Sequence, residues 1–152
     1  MLIHIRQSLV LLLLAAGIVL PVVSQGAALS LEDVAAIRTV SSVRMSPNGD
    51  RIAYLLRVPR EVYKEDDGRP YDELHMVDLD GRSTPYITGK VNISSIAWAP
   101  GGESLYFVAK RDPDAKFNSI WSIPVAGGEA QQVFTHVSSI GSIYPSPDGG
   151  TI

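Results

Sequence analysis

The chain has no cysteine in its 152 residues. That absence excludes disulfides, a lipid-modified N-terminal cysteine and thiolate metal sites together. Histidine is scarce too: His4, His75 and His136 are the three copies, and no second ligand stands at metal spacing from any of them. No cofactor is expected. Neither sign of charge dominates, with 13 Lys and Arg against 16 Asp and Glu. Without a basic stripe, nucleic acid and anionic membrane are not expected partners. A long hydrophobic run is also missing. The apolar stretch at 9–20 is closed by Pro21, short of the ~20 residues a spanning helix needs.

Residues 1–28 carry a single positive charge at Arg6, then that apolar run, then a small-residue exit at Ser24-Gln25-Gly26 or Gly26-Ala27-Ala28. This order predicts a cleaved secretory signal peptide over 1–28 and a periplasmic or secreted location, with no stable membrane anchor left after cleavage. Removing Arg6 leaves 12 basic residues against 16 acidic ones, a net charge of −4. Export without disulfides suits a bacterial periplasm or exterior.

The organising fact is a repeat. "SPNGDRIAYLL" (46–56), "APGGESLYFVA" (99–109) and "SPDGGTI" (146–152) set Pro47, Pro100 and Pro147 at intervals of 53 and 47 residues. The second halves match as well, with "ELHMVDLDGRSTPYIT" (73–88) parallel to "SIWSIPVAGGEAQQVFT" (119–135). Self-similarity at a period near 50 signals a repeat architecture. "SLYFVA" (104–109) reads as a strand covered on both faces, and the Asn-Gly, Gly-Gly and Asp-Gly pairs suit tight hairpins. Pro124 in "IWSIPVA" lacks a ladder donor, which predicts an edge strand or a bulge there.

The resulting fold class is all-β: a partial β-propeller of four-stranded antiparallel blades. The boundaries are a short helix over 29–39, a first blade over 40–89, a second over 90–136 and the start of a third over 137–152. In the helix, Ser30 caps with Asp33, and Val34 and Ile37 form an apolar stripe for packing. Propellers close with typically four to eight blades, so the chain is expected to be the N-terminal part of something larger.

These phrases resemble the TolB-type propeller repeat, whose hallmark is an apolar residue followed by Ser-Pro-Asp-Gly. The second unit departs from it at Ala99 and Gly101, and the first has Asn48 for the Asp. The opening "LSLEDVAAIRTVSSVRMSPNGDRIAYLL" with "VPREVYKEDDGRPYDELHMVDLDG" is similar to the start of secreted bacterial serine peptidases of the prolyl oligopeptidase family, in its acylaminoacyl- and dipeptidyl-peptidase branches. That resemblance implies a propeller that screens peptides for an α/β-hydrolase domain with a Ser-Asp-His triad, and a peptide substrate reached through that domain. A non-enzymatic TolB-type binding propeller, docking proteins in the periplasm, is the rival.

No catalytic residue is expected in the chain. The nearest approaches to Gly-x-Ser-x-Gly, around Ser83 and Ser104, lack the closing glycine and fall in hairpin turns. "DLDG" (78–81) begins like a calcium loop, but Arg82, Ser83, Thr84 and Pro85 do not continue the ligand pattern, so a hairpin turn is expected. Asn92-Ile93-Ser94 fits a glycosylation sequon. The stretch "RVPREVYKEDDGRPYDE" (57–73) is far longer than its counterpart "KRDPDAKFN" (110–118). Long loops on rigid scaffolds often carry function. Arg57, Arg60, Tyr63, Arg69 and Tyr71 are therefore the candidate contacts to a peptide carboxylate or to the missing domain. The competing reading is a solvated, partly disordered loop.

Overall fold

Eight apolar runs form eight strands in the computed structural model, which describes residues 28–152. All but the last residue of the expected signal peptide lies outside the described residues. Strands β1 (Thr39–Met45), β2 (Arg51–Val58), β3 (Tyr71–Asp78) and β4 (Ser83–Ile87) make one antiparallel sheet in that order. Strands β5 (Ile93–Trp98), β6 (Ser104–Ala109), β7 (Ser119–Pro124) and β8 (Gln131–Thr135) make a second in the same way.

The repeated phrase is one turn, built three times. Ser46 N donates to Arg51 O at 2.8 Å and Gly49 N to Ser46 O at 3.0 Å. Ala99 N to Ser104 O (3.0 Å) and Gly102 N to Ala99 O (2.9 Å) reproduce this pair, as do Ser146 N to Thr151 O (2.9 Å) and Gly149 N to Ser146 O (3.0 Å). The glycine sits at φ 72°, 78° and 72° respectively, a left-handed conformation that side chains resist. Where the phrase begins with serine, Oγ accepts a further bond, from Arg51 N (3.1 Å) or Thr151 N (2.9 Å); Ala99 gives up that bond. The turns also abut one another. A Cβ on Gly102 would lie 3.2 Å from Asn48 Nδ2, and one on Gly149 would lie 3.8 Å from Pro100 Cγ.

Strand alternation decides which residues meet between the sheets. Register puts Leu55 beside Leu74 and Ala53 beside Met76 on the inner face of the first sheet. Ile96, Phe107 and Trp121 form one row on the facing side of the second sheet, and Trp98, Leu105 and Ile123 form the next. All but the partly buried Trp121 are buried and belong to one core. Two polar ties cross it: Trp98 Nε1 donates to Arg44 O (2.9 Å) and Tyr86 Oη to Val125 O (2.6 Å).

The repeat also explains the exposed face. Ile96 and Trp98 precede Pro100 by four and two residues, as Val43 and Met45 precede Pro47. The first pair is buried because the first sheet lies in front of it; Val43 and Met45 are 51% and 65% exposed, and among the described residues nothing covers them. Ile143, four residues before Pro147, packs behind the second sheet with Ala97, Val108 and Ile120, and its amide donates to Ser95 Oγ at 3.4 Å. The third unit thus repeats the packing and the turn.

Three expectations need correction. The helix α1 is only Leu31–Ala35: the Ser30–Asp33 capping box is present, but Val34 and Ile37 stay exposed because no apolar face of the described residues reaches them. Strand β7 lies inside its sheet between β6 and β8, not at an edge; its pairing with β8 does shift register, but between Ile120 and Trp121, and Pro124 is tolerated because its missing donor falls at the strand's last residue. Residues 137–152 form a turn but no strand, since the main chain of Ile140 and Ile143 bonds the side chains of Asn118 and Ser95 and not a backbone ladder.

Candidate functional site

Strand register places the first candidate. Arg57 near the end of β2 faces Asp72 near the start of β3, and its Nε donates to Asp72 Oδ1 at 3.2 Å. Ser41 of β1 donates to the same oxygen at 3.1 Å. Asp72 is buried, and its own amide donates to Val91 O at 3.0 Å, which draws Asn92 and the start of β5 alongside. A crevice of about 200 Å³ opens here between the sheets, with Ser41, Arg57, Arg69, Asp72, Asn92 and Ser94 on its walls.

Among the described residues, Arg57 Nη1 and Nη2 and the whole Arg69 guanidinium have no protein acceptor. The crevice therefore offers planar, multidentate donors beside one carboxylate, whose Oδ1 already accepts from Arg57 and Ser41. Such donors suit a carboxylate or a peptide carbonyl.

The remaining candidates do other work. Arg60 pins the 59–70 loop through Nε to Arg69 O (3.0 Å) and Nη1 to Asp66 O (3.1 Å), and its Cζ lies 4.8 Å from the centre of the Tyr71 ring. Gly68 lies under that guanidinium, where a Cβ would come within 2.8 Å of Arg60 Cζ. Tyr71 is buried and gives its hydroxyl to Glu65 Oε1 at 3.2 Å. Glu65 also takes Lys90 Nζ at 2.9 Å and the Glu61 amide at 3.0 Å. Lys90 first, then the Glu61 amide and the Tyr71 hydroxyl, hold the Glu65 carboxyl down to about 2. The loop is thus organised by its own contacts. Tyr63 stands apart: it is fully exposed, at φ 64°, and meets none of the other four. Of the five candidates the structure brings Arg57 and Arg69 together, and places Arg60 and Tyr71 behind them as supports.

Ser83 and Ser104 open β4 and β6 directly after hairpin turns. Ser83 Oγ lies 2.7 Å from the Tyr54 hydroxyl, and the Ser104 carbonyl closes the second repeat turn. Neither occupies a strand-to-helix elbow. The "DLDG" turn is the expected hairpin, with Asp78 Oδ1 accepting from the amides of Asp80 (3.1 Å) and Arg82 (2.9 Å). His75 stacks on Tyr54 with centroids 5.4 Å apart and bonds Glu73 Oε2 at 3.2 Å. Asp72 and Ser41 were not singled out by sequence, and Ser94 stood out only as part of a glycosylation sequon. The signal for Asp72 was its opposition to Arg57 across a hairpin, which only the register reveals.

No family model matches the chain. Over 124 residues, 82% of its length, the chain is 27% identical to a protein of Bacillus subtilis (strain 168) named as the uncharacterized peptidase YuxL. The match covers 18% of that protein, so the chain spans about a fifth of the length of the curated relative it matches.

Proposed function

We propose that this chain is the substrate-screening sheet region of an exported serine peptidase of the prolyl oligopeptidase kind, with the bond-breaking groups carried elsewhere in a longer protein. The observation that carries this reading is the 27% identity over 124 residues with a protein named as a peptidase. Two meander sheets packed front to back, with a third copy of the turn behind them, support reading the sheets as consecutive propeller blades. In such a ring, β1 and β5, which meet across the two sheets, line the central channel. The Arg57–Arg69 crevice then faces a peptide on its way to the catalytic groups, and its free donors hold a carboxylate or carbonyl of that peptide.

The test is the reading frame beyond the Ile152 codon together with peptide hydrolysis by the protein it encodes. The reading requires a downstream Gly-x-Ser-x-Gly with distal Asp and His, and serine-dependent cleavage of peptides. Further repeats followed by a stop codon, with no hydrolysis, would instead identify a binding propeller. Arg69→Ala in an active enzyme should alter peptide kinetics; unchanged kcat/KM across peptide acids and amides would remove the crevice from the account.

A further inference from the structure

A second cavity, of about 230 Å³, lies between the β6–β7 connection (110–118) and the end of β8. Three cations line it: Lys110, Arg111 and Lys116. Among the described residues none of the three has a carboxylate within ion-pair distance, whereas Lys64 of the 59–70 loop and Lys90 of the β4–β5 connection are both paired. Asp112 is the one carboxylate on the wall, and its Oδ1 already accepts the Asp114 amide at 2.9 Å. Three positive charges against one negative leave an excess of two in a chain whose net charge is −3. Gathering like charges in one concavity is unfavourable until an anion enters.

The wall is also flat and fixed. Trp121 Nε1 donates to Ala109 O at 3.1 Å, which holds the indole in place, and Arg111 Cζ lies 4.8 Å from its ring centre. Lys116 Nζ lies 5.2 Å from the Phe117 ring centre. A guanidinium held over an indole is oriented while its N–H groups stay available.

We infer that this cavity is a binding site for an oxyanion, a carboxylate or phosphate, that Lys110, Arg111 and Lys116 hold beside the Trp121 face. The site is independent of the Arg57–Arg69 crevice and of the peptidase reading.

The test uses the 15N-labelled full chain at low ionic strength and follows the Trp121 indole resonance. The probes are inorganic phosphate, an acetylated dipeptide ending in a free carboxylate, and the same dipeptide as its amide. A saturating shift with the acid and none with the amide supports the site with a peptide terminus as its source. Saturation by phosphate alone supports it with a free oxyanion as source. Arg111→Gln with Lys116→Gln should weaken binding at least tenfold, Lys116→Gln alone about threefold, and Lys64→Gln not at all. No shift with either anion overturns the inference. So does equal binding of acid and amide, or undiminished affinity in both Gln variants.

Discussion

The Trp98 indole, at the end of β5, gives its Nε1 proton to the main-chain oxygen of Arg44 on β1, 2.9 Å away in the other sheet. A single side chain thus fills the space between the sheets and ties them with a directed bond. Trp98→Phe keeps most of the apolar volume and should cost about 1–2 kcal/mol, the value of a hydrogen bond that leaves its acceptor unpaired. Trp98→Ala should cost about 3–5 kcal/mol through the cavity left behind. Denaturant melts would show both; a costless Trp98→Phe would mean that the bond adds nothing to the packing, and equal costs that the packing adds nothing to the bond.

Val43 and Met45 occupy the positions that Ile96 and Trp98 hold in the second sheet, but stand uncovered. Each large side chain left in water forgoes about 1.5–3 kcal/mol of burial. The chain alone should therefore associate as its concentration rises, and Val43→Lys with Met45→Lys should reduce that association. Sedimentation velocity decides this; a clean monomer at every concentration, in both proteins, would contradict it.

Glu65 gives the 59–70 loop a pH dependence. Its carboxyl is held down to about 2 from an ordinary 4.5, chiefly by Lys90. A folded-state value below the unfolded one means stability that is fully present above pH 4.5 and lost as pH falls toward 2. Thermal melts should find Glu65→Gln less stable than the parent at pH 7, with the difference closing across that window. A difference that persists at pH 2 would assign the effect to packing.

Gly49 and Gly102 hold equivalent turns but differ in surroundings. A Cβ at Gly49 would meet open space, so Gly49→Ala should cost only the backbone strain, about 1–2 kcal/mol. At Gly102 the same Cβ would press on Asn48 Nδ2 at 3.2 Å, so Gly102→Ala should cost more. Adding Asn48→Ala should bring the second cost down to the first. Equal costs in the parent background would show that the Asn48 side chain does not press on this turn in solution.

The strands and turns were legible because their signals are local. The repeat marked the two sheets, the apolar run at 104–109 marked β6, and the Asn-Gly, Gly-Gly and Asp-Gly pairs marked turns whose glycines are left-handed. Long-range facts were hidden. Nothing in "LEDVAAIRTV" says that Val34 and Ile37 lack a surface to pack on, and nothing near Pro124 says that β8 continues the sheet beyond it. At the site, Arg57 and Arg60 look alike in sequence. Register gives one to Asp72 and the crevice, whereas the loop's path gives the other to Arg69 O and Asp66 O. The cations of 110–118 were obscured by Asp112 and Asp114 between them, although neither carboxylate pairs with them.

A serine-reactive fluorophosphonate tests the account at its centre. It would be applied to the 152-residue chain and to the protein encoded by the extended reading frame, with labelled peptides located by mass spectrometry. The account predicts no labelling of the short chain, and labelling of the longer protein at one serine outside residues 1–152, accompanied by peptide hydrolysis. Labelling at Ser83, Ser104 or any other serine within the chain, with hydrolysis by the chain itself, would contradict it.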